Sequence, residues 1–187
     1  VSTCAPNSGT EEQADYVLKA IGIDWNKDFK REKLGASESV AALKDGKIDA
    51  FFWSGAVPTG SIIDLSSTPG LKMVMLPISG DIAAKIMKAN PGVFHKTVFA
   101  KGSYSSLNAD VETIAITAVL QALDTFPADK VYSIVKAIFD NKAEIAAVWK
   151  GAAKLTPEKA VQQVTPDAIK YLHPGAAKFF KEKGAIK

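Results

Sequence analysis

Residues 1–21 read VSTCAPNSGTEEQADYVLKAI: an apolar opening, a breaker, then an amphipathic run, and this order decides the fold. Residues 1–5 have the character of a strand tail, and Pro6-Asn7-Ser8-Gly9 that of a tight turn. Residues 10–13 take the capping-box form, with the Thr10 hydroxyl accepting from the Gln13 N–H while the Gln13 side chain reaches back. Ala14, Val17, Leu18 and Ile21 follow at helical spacing, so a helix is expected to begin at Thr10. Strand, turn and capped helix together make one βα unit.

Working outward, the same grammar repeats. A short strand is expected near residues 29–34, then a helix over about 37–45 with Val40 and Leu43 inward, closed by Gly46. Residues 48–53 are too apolar to alternate, which predicts a strand covered on both faces. Residues 55–60 turn the chain into a short helix that ends near Thr68-Pro69-Gly70. A strand over 71–76, a helix over 81–89 with Ile82, Ile86 and Met87 inward, and the breaker Asn90-Pro91-Gly92 complete the series. Residues 1–100 therefore read as a doubly wound α/β lobe. Beyond Lys101 the pattern changes: a polar loop over 102–110, one extended strand over 111–123, and helices over about 127–140, 142–150 and 174–183. Val131, Val135 and Ile138 supply the helical period in the first of these, and Pro127 suits its first turn. Residues 101–187 form the second part of the chain, a crossover strand and C-terminal helices.

With 47% hydrophobic and 23% charged residues, the 187-residue chain has the composition of a soluble globular protein. The net charge of +3 comes from 23 basic and 20 acidic residues scattered along the chain, and Arg31 is the sole arginine. A nucleic-acid surface concentrates its cations and favours arginine, so no nucleic-acid partner is expected. The single cysteine, Cys4, forms no intramolecular disulfide and makes no zinc spacing with His95 or His173; no metal or cofactor is expected. No run of about 18 uninterrupted apolar residues is present, and residues 1–3 lack the basic and apolar regions of a signal peptide.

Two stretches carry candidate chemistry. At Ser8, Gly9 and Thr10, unpaired helix N–H groups, the positive dipole end and two hydroxyls can hold a carboxylate or phosphate. The alternative is an ordinary βα turn that only caps its helix; Walker and dinucleotide patterns are both lacking. The second stretch is Phe51-Phe52-Trp53-Ser54-Gly55 followed by Pro58-Thr59-Gly60, at the carboxyl end of an expected strand, where open α/β sheets bind ligands. There Trp53, Pro58 and Thr59 would wall a cleft, or else the aromatics are core and the glycines turn residues. Catalytic readings fail: Cys4 reads as buried core, His173 before Pro174 as a helix-entry residue, and the Glu pairs as first-turn and surface charges.

Taken together, residues 1–11, Leu43-Lys44-Asp45-Gly46-Lys47-Ile48-Asp49-Ala50-Phe51-Phe52, Pro58-Thr59-Gly60 and Leu172-His173-Pro174-Gly175-Ala176 resemble the second half of TAXI-family receptors of TRAP transporters. The resemblance implies a type II periplasmic-binding-protein fold, with two α/β lobes closing on a small organic anion or an amino acid such as glutamate or glutamine. It further implies no enzymatic activity, a periplasmic location, and membrane permease subunits as partners. A ligand-sensing effector domain of a transcription regulator shares this fold and is the alternative. Position 4 is Cys where the family usually carries Gly, which is expected to narrow the site. The family's first lobe would precede Val1. On that arrangement the apolar faces of Ala176, Phe179 and Phe180, and part of residues 131–139, need cover from the chain itself or from a second copy, and the chain is expected to bind glutamate weakly and to self-associate.

Overall fold

The computed structural model describes residues 1–162 and 169–187. It divides into two compact units, Val1–Ile116 and Thr117–Lys187.

In the first unit, α1 (Gly9–Ala20), α2 (Ala36–Lys44), α3 (Gly60–Ser66) and α4 (Gly80–Ala89) surround extended chain and a two-stranded ribbon, β1 (Phe94–Phe99) and β2 (Val111–Ile116). The ribbon is antiparallel, with Phe94 opposite Ile116 and Phe99 opposite Val111. Side chains alternate across a strand, so Phe94 and Phe99 face opposite ways. Phe99 and Val111 pack on the cluster of Val40, Ile62, Leu65, Tyr104 and Leu107, whereas Phe94 meets the Tyr16 ring of α1 edge-on at 5.7 Å. Helices thus flank the ribbon on both sides, α1 packing with α4 and α2 with α3.

Two further extended segments, around Glu32 and Phe51, are held by Ser2. Its N–H donates to the Ala50 carbonyl (3.0 Å) and its carbonyl accepts from Phe52 (2.9 Å), while on its other side Thr3 N–H donates to Glu32 O (3.0 Å) and Glu32 N–H to Val1 O (2.9 Å). These are parallel bridges of Ser2 to Glu32 and to Phe51. The expected doubly wound sheet is corrected accordingly: among the described residues the only ladder is antiparallel, and 29–34, 48–53 and 71–76 are not ladder strands. Residues 71–76 have the strand period, with Leu71, Met73 and Met75 on the core and Val74 and Leu76 outward, but their backbone groups meet no neighbouring strand. The expected strand over 111–123 stops at Ile116, where its pairing with Phe94 ends the register.

Helix boundaries follow their caps. After α2, Gly46 takes the left-handed conformation at φ 68, its N–H donating to Leu43 O and that of Lys47 to Ala42 O; the double bond is a Schellman closure, as the glycine predicts. Helix α4 begins at Gly80, one residue before the expected start.

In the second unit, α5 (Ala128–Asp140), α6 (Lys142–Val148), a 3-10 turn (Lys150–Lys154), α7 (Pro157–Gln162) and α8 (Pro174–Glu182) follow in order. His173 caps α8: its Nδ1 accepts from the Gly175 N–H at 3.2 Å, which leaves Nε2–H to donate to the Phe126 carbonyl at 3.0 Å. It is the helix-entry residue that its place before Pro174 predicts. Gly175 lets α8 approach α5 at backbone distance, because a Cβ there would lie 2.8 Å from the Tyr132 nitrogen and against the Ala128 carbonyl. Across that contact Val131, Val135, Val161, Phe179 and Phe180 close an apolar core, with Ala176 and Phe139 at its edge. The faces expected to need cover are therefore covered within the unit itself.

Candidate functional site

The turn before α1 differs in one instructive way from the sequence expectation. The N-cap is Ser8, not Thr10: Ser8 has extended geometry (φ −84, ψ 152) and its Oγ accepts from the Glu11 N–H at 3.1 Å. Ser8 and Glu11 also have the capping-box spacing, and Gly9, one residue before Thr10, is already helical. Glu11 does not close the box. Its Oε2 accepts instead from the Asn7 N–H at 2.7 Å, with Asn7 in the left-handed region at φ 60. Ser8 N–H donates to the Ala5 carbonyl at 3.2 Å. Among the described residues the N–H groups of Gly9 and Thr10 are left without partners at the positive end of the helix. Replacing Ser8 by Ala is expected to cost about 0.5–2 kcal/mol by urea denaturation. An unchanged stability would mean that Ser8 does not cap α1.

Thr10 has another task. It is buried, on one stripe with Ala14 and Leu18, and its hydroxyl lies 3.4 Å from both the carbonyl and the N–H of Ser54. It joins the turn to the loop over residues 53–60. In that loop the Trp53 Nε1–H donates to Thr59 Oγ1 (3.0 Å), the Thr59 hydroxyl donates to Ala56 O (2.6 Å), and the Thr59 N–H donates to the Tyr104 hydroxyl (3.1 Å). Pro58 follows a cis peptide bond from Val57. Gly55 lies against the indole, where a Cβ would come within 2.8 Å of the ring, so Trp53 is held flat along the loop and remains 39% exposed.

An open cavity of about 350 Å³ lies at the start of α1, lined by Asn7, Ser8, Gly9, Glu11, Glu12, Asp15 and Trp25. Of the six residues singled out from sequence, Ser8 and Gly9 line it. Thr10 stands behind it as the link to Ser54, and Trp53, Pro58 and Thr59 belong to the linked loop. All three acidic lining residues are partnered. Glu12 accepts from the Tyr16 hydroxyl at 2.9 Å, and that hydrogen bond, with the carboxylate's charge, raises the Tyr16 pKa. Asp15 pairs with Lys19 at 2.6 Å, and the hydrogen bond raises the lysine's pKa. Glu11 pairs with Arg31, whose Nε–H also donates to the Thr3 hydroxyl at 2.8 Å and whose guanidinium lies 3.5 Å over the Trp25 ring.

Sequence reasoning passed over Arg31 and Trp25. The available signal is that Arg31 is the chain's one arginine, because a position that donates to two different residues and stacks on a ring is one that lysine does not fill. Cys4 also gains a reason: its φ is 74, the region that favours glycine, consistent with glycine being the residue usual at that position in the resembling family. The expected narrowing of the site by Cys4 is not seen at this cavity, since the residue is 4% exposed and does not line it.

The model of the NMT1-like family, a periplasmic-binding-protein-like family, matches residues 1–184.

Proposed function

From a chain that belongs to the NMT1-like family, and so to a solute-binding family, we propose a receptor of the TAXI type that serves a TRAP transporter. Its ligand is a small organic anion or an amino acid such as glutamate or glutamine, held in an interlobe cleft of a type II periplasmic-binding-protein fold. The receptor works in the periplasm, delivers its ligand to membrane permease subunits, and performs no chemistry on it. One observation carries the reading: the N–H groups of Gly9 and Thr10 have no partner among the described residues at a capped helix start whose Ser8 and Gly9 line the cavity and which Thr10 ties to the Trp53–Thr59 loop. A carboxylate there gains two charge-assisted donors and the helix dipole, with Ser8 beside it, while Trp53, Pro58 and Thr59 supply a shaped wall.

The test is a titration of the chain with L-glutamate, followed by amide NMR. Saturable shifts are expected at Gly9 and Thr10, in the weak, roughly millimolar range where binding free energy is only about 4 kcal/mol. Shifts absent from both amides with glutamate, glutamine and succinate would overturn the assignment of this turn as the ligand site.

A further inference from the structure

We infer that two copies of this chain pair by strand exchange, residues 118–123 of each lying beside residues 71–76 of the other. Both segments have strand-like sequences and no strand beside them. The Leu71 N–H donates to the Thr68 carbonyl and the Ile78 N–H to the Glu112 carbonyl on β2. Between these anchors the N–H groups of Lys72 to Leu76 and the carbonyls of residues 71–77 have no hydrogen-bond partner among the described residues. Pro77 has no N–H and ends the row of donors. Leu71, Met73 and Met75 bury one face of this segment on the core, while Val74 and Leu76 stand exposed on the other. The second segment begins where β2 loses its partner: β1 starts at Phe94, opposite Ile116, so the chain beyond Ile116 has no strand to follow. From Ala118 to Ala122 the backbone N–H and carbonyl groups likewise have no partner among the described residues, and Val119, Leu120 and Leu123 are exposed.

An open row of backbone groups beside exposed apolar side chains is what strand addition satisfies: the ladder supplies the hydrogen bonds and the side chains cover one another. A second copy is the occupant because the two deficits match. The segments are equal in length, 118–123 carries no charge and 71–76 only that of Lys72, so no like charges are set opposite each other. Pairing of 71–76 with the same segment of another copy would leave 118–123 open and meet half of the deficit. Exchange between the two different segments is reciprocal about a two-fold axis, so both ladders form together and the assembly closes at two copies.

Sedimentation of the 187-residue chain over a range of concentrations tests this. The mass is expected to rise from 19.9 kDa toward twice that value and no further, with hydrogen exchange of the Val74 and Val119 amides slowing in step. V119P removes a donor that has no partner in the single chain, and is expected to weaken dimerisation about tenfold, the factor that one ladder hydrogen bond carries, while leaving the urea midpoint of dilute protein unchanged. L76K places a charge on the receiving segment at a side chain that is 76% exposed, and is expected to weaken dimerisation similarly without emptying the core. An equal mixture of the two variants keeps one sound ladder, from 118–123 of the L76K chain to 71–76 of the V119P chain, and is expected to dimerise better than either variant alone. The inference is overturned by a mass of 19.9 kDa at every concentration, which includes the case of both segments pairing within one chain, or by association beyond two copies. It is equally overturned if V119P dimerises as the parent does, or if the mixture does no better than its components.

Discussion

Replacing Phe179 by Ala is expected to destabilise the second unit by about 3–5 kcal/mol, the range for emptying a buried aromatic site. Phe179 is 1% exposed. It stacks on Phe139 at 5.1 Å between ring centroids and meets Phe180 edge-on at 5.5 Å and Tyr132 at 6.1 Å. Phe139 and Phe180 also touch edge-on at 6.0 Å, so the rings form a network whose centre is the residue removed. The cavity cannot collapse easily, because Gly175 already holds α8 at backbone contact with α5. Urea unfolding followed by the fluorescence of Trp149, which lies in the same unit, measures the loss. Phe179→Leu, which keeps most of the volume, is expected to cost less than half as much. A loss below about 1 kcal/mol for the alanine variant would show that the aromatic cluster is not the core of this unit.

What was legible in the sequence is the helical part, and the reason is local. Several helices carry their own period and a start or stop signal within a few residues: Gly46 closes α2, Pro174 opens α8, and Asn90 ends α4, whereas the short α7 (Pro157–Gln162) is not among the expected helices. The strands were less legible because pairing is a long-range property that a segment's own residues do not determine. Residues 71–76 show it plainly: the alternation of Leu71, Met73 and Met75 against Lys72, Val74 and Leu76 is real, yet it reports one buried face and not a partner strand. The start of α1 was placed one residue late for a related reason. Thr10 and Gln13 satisfy a capping pattern, but so do Ser8 and Glu11, and the contact of Thr10 with Ser54, 44 residues away, decided between them.

At the candidate site the same division holds. Ser8 and Gly9 could be read from a turn and a helix start, which are neighbours in sequence. Arg31 could not, since its three contacts are at Thr3, Glu11 and Trp25, and only folding brings them together. Trp53, Pro58 and Thr59 stand out by their place after an apolar run, and they lie on one loop in which Trp53 and Thr59 are joined by a hydrogen bond. The loop's link to the core through Tyr104 had no sequence signal at all.

That link makes Leu65 the residue through which packing reaches the site, and Leu65→Ala is expected to cost about 2–5 kcal/mol in the first unit. Leu65 is 1% exposed and lies on α3 in the cluster with Val40, Ile62, Leu107 and Tyr104. Tyr104 is itself 4% exposed, and its hydroxyl accepts the Thr59 N–H, whose hydroxyl in turn receives the Trp53 indole N–H. Removing the leucine side chain frees space beside Tyr104, so the ring can shift and release Thr59, and the Trp53 indole loses its fixed acceptor. Two readouts should therefore move together: the urea midpoint of the first unit, and the fluorescence of Trp53 in the folded state. Tyr104→Phe separates them. It keeps the ring that fills the core and removes only the acceptor, so its cost should be near 1 kcal/mol, the worth of one hydrogen bond, while the change at Trp53 persists. If Leu65→Ala lowers the midpoint and Tyr104→Phe leaves the Trp53 signal unaltered, the loop is held by its own turn geometry and owes nothing to the core beneath it.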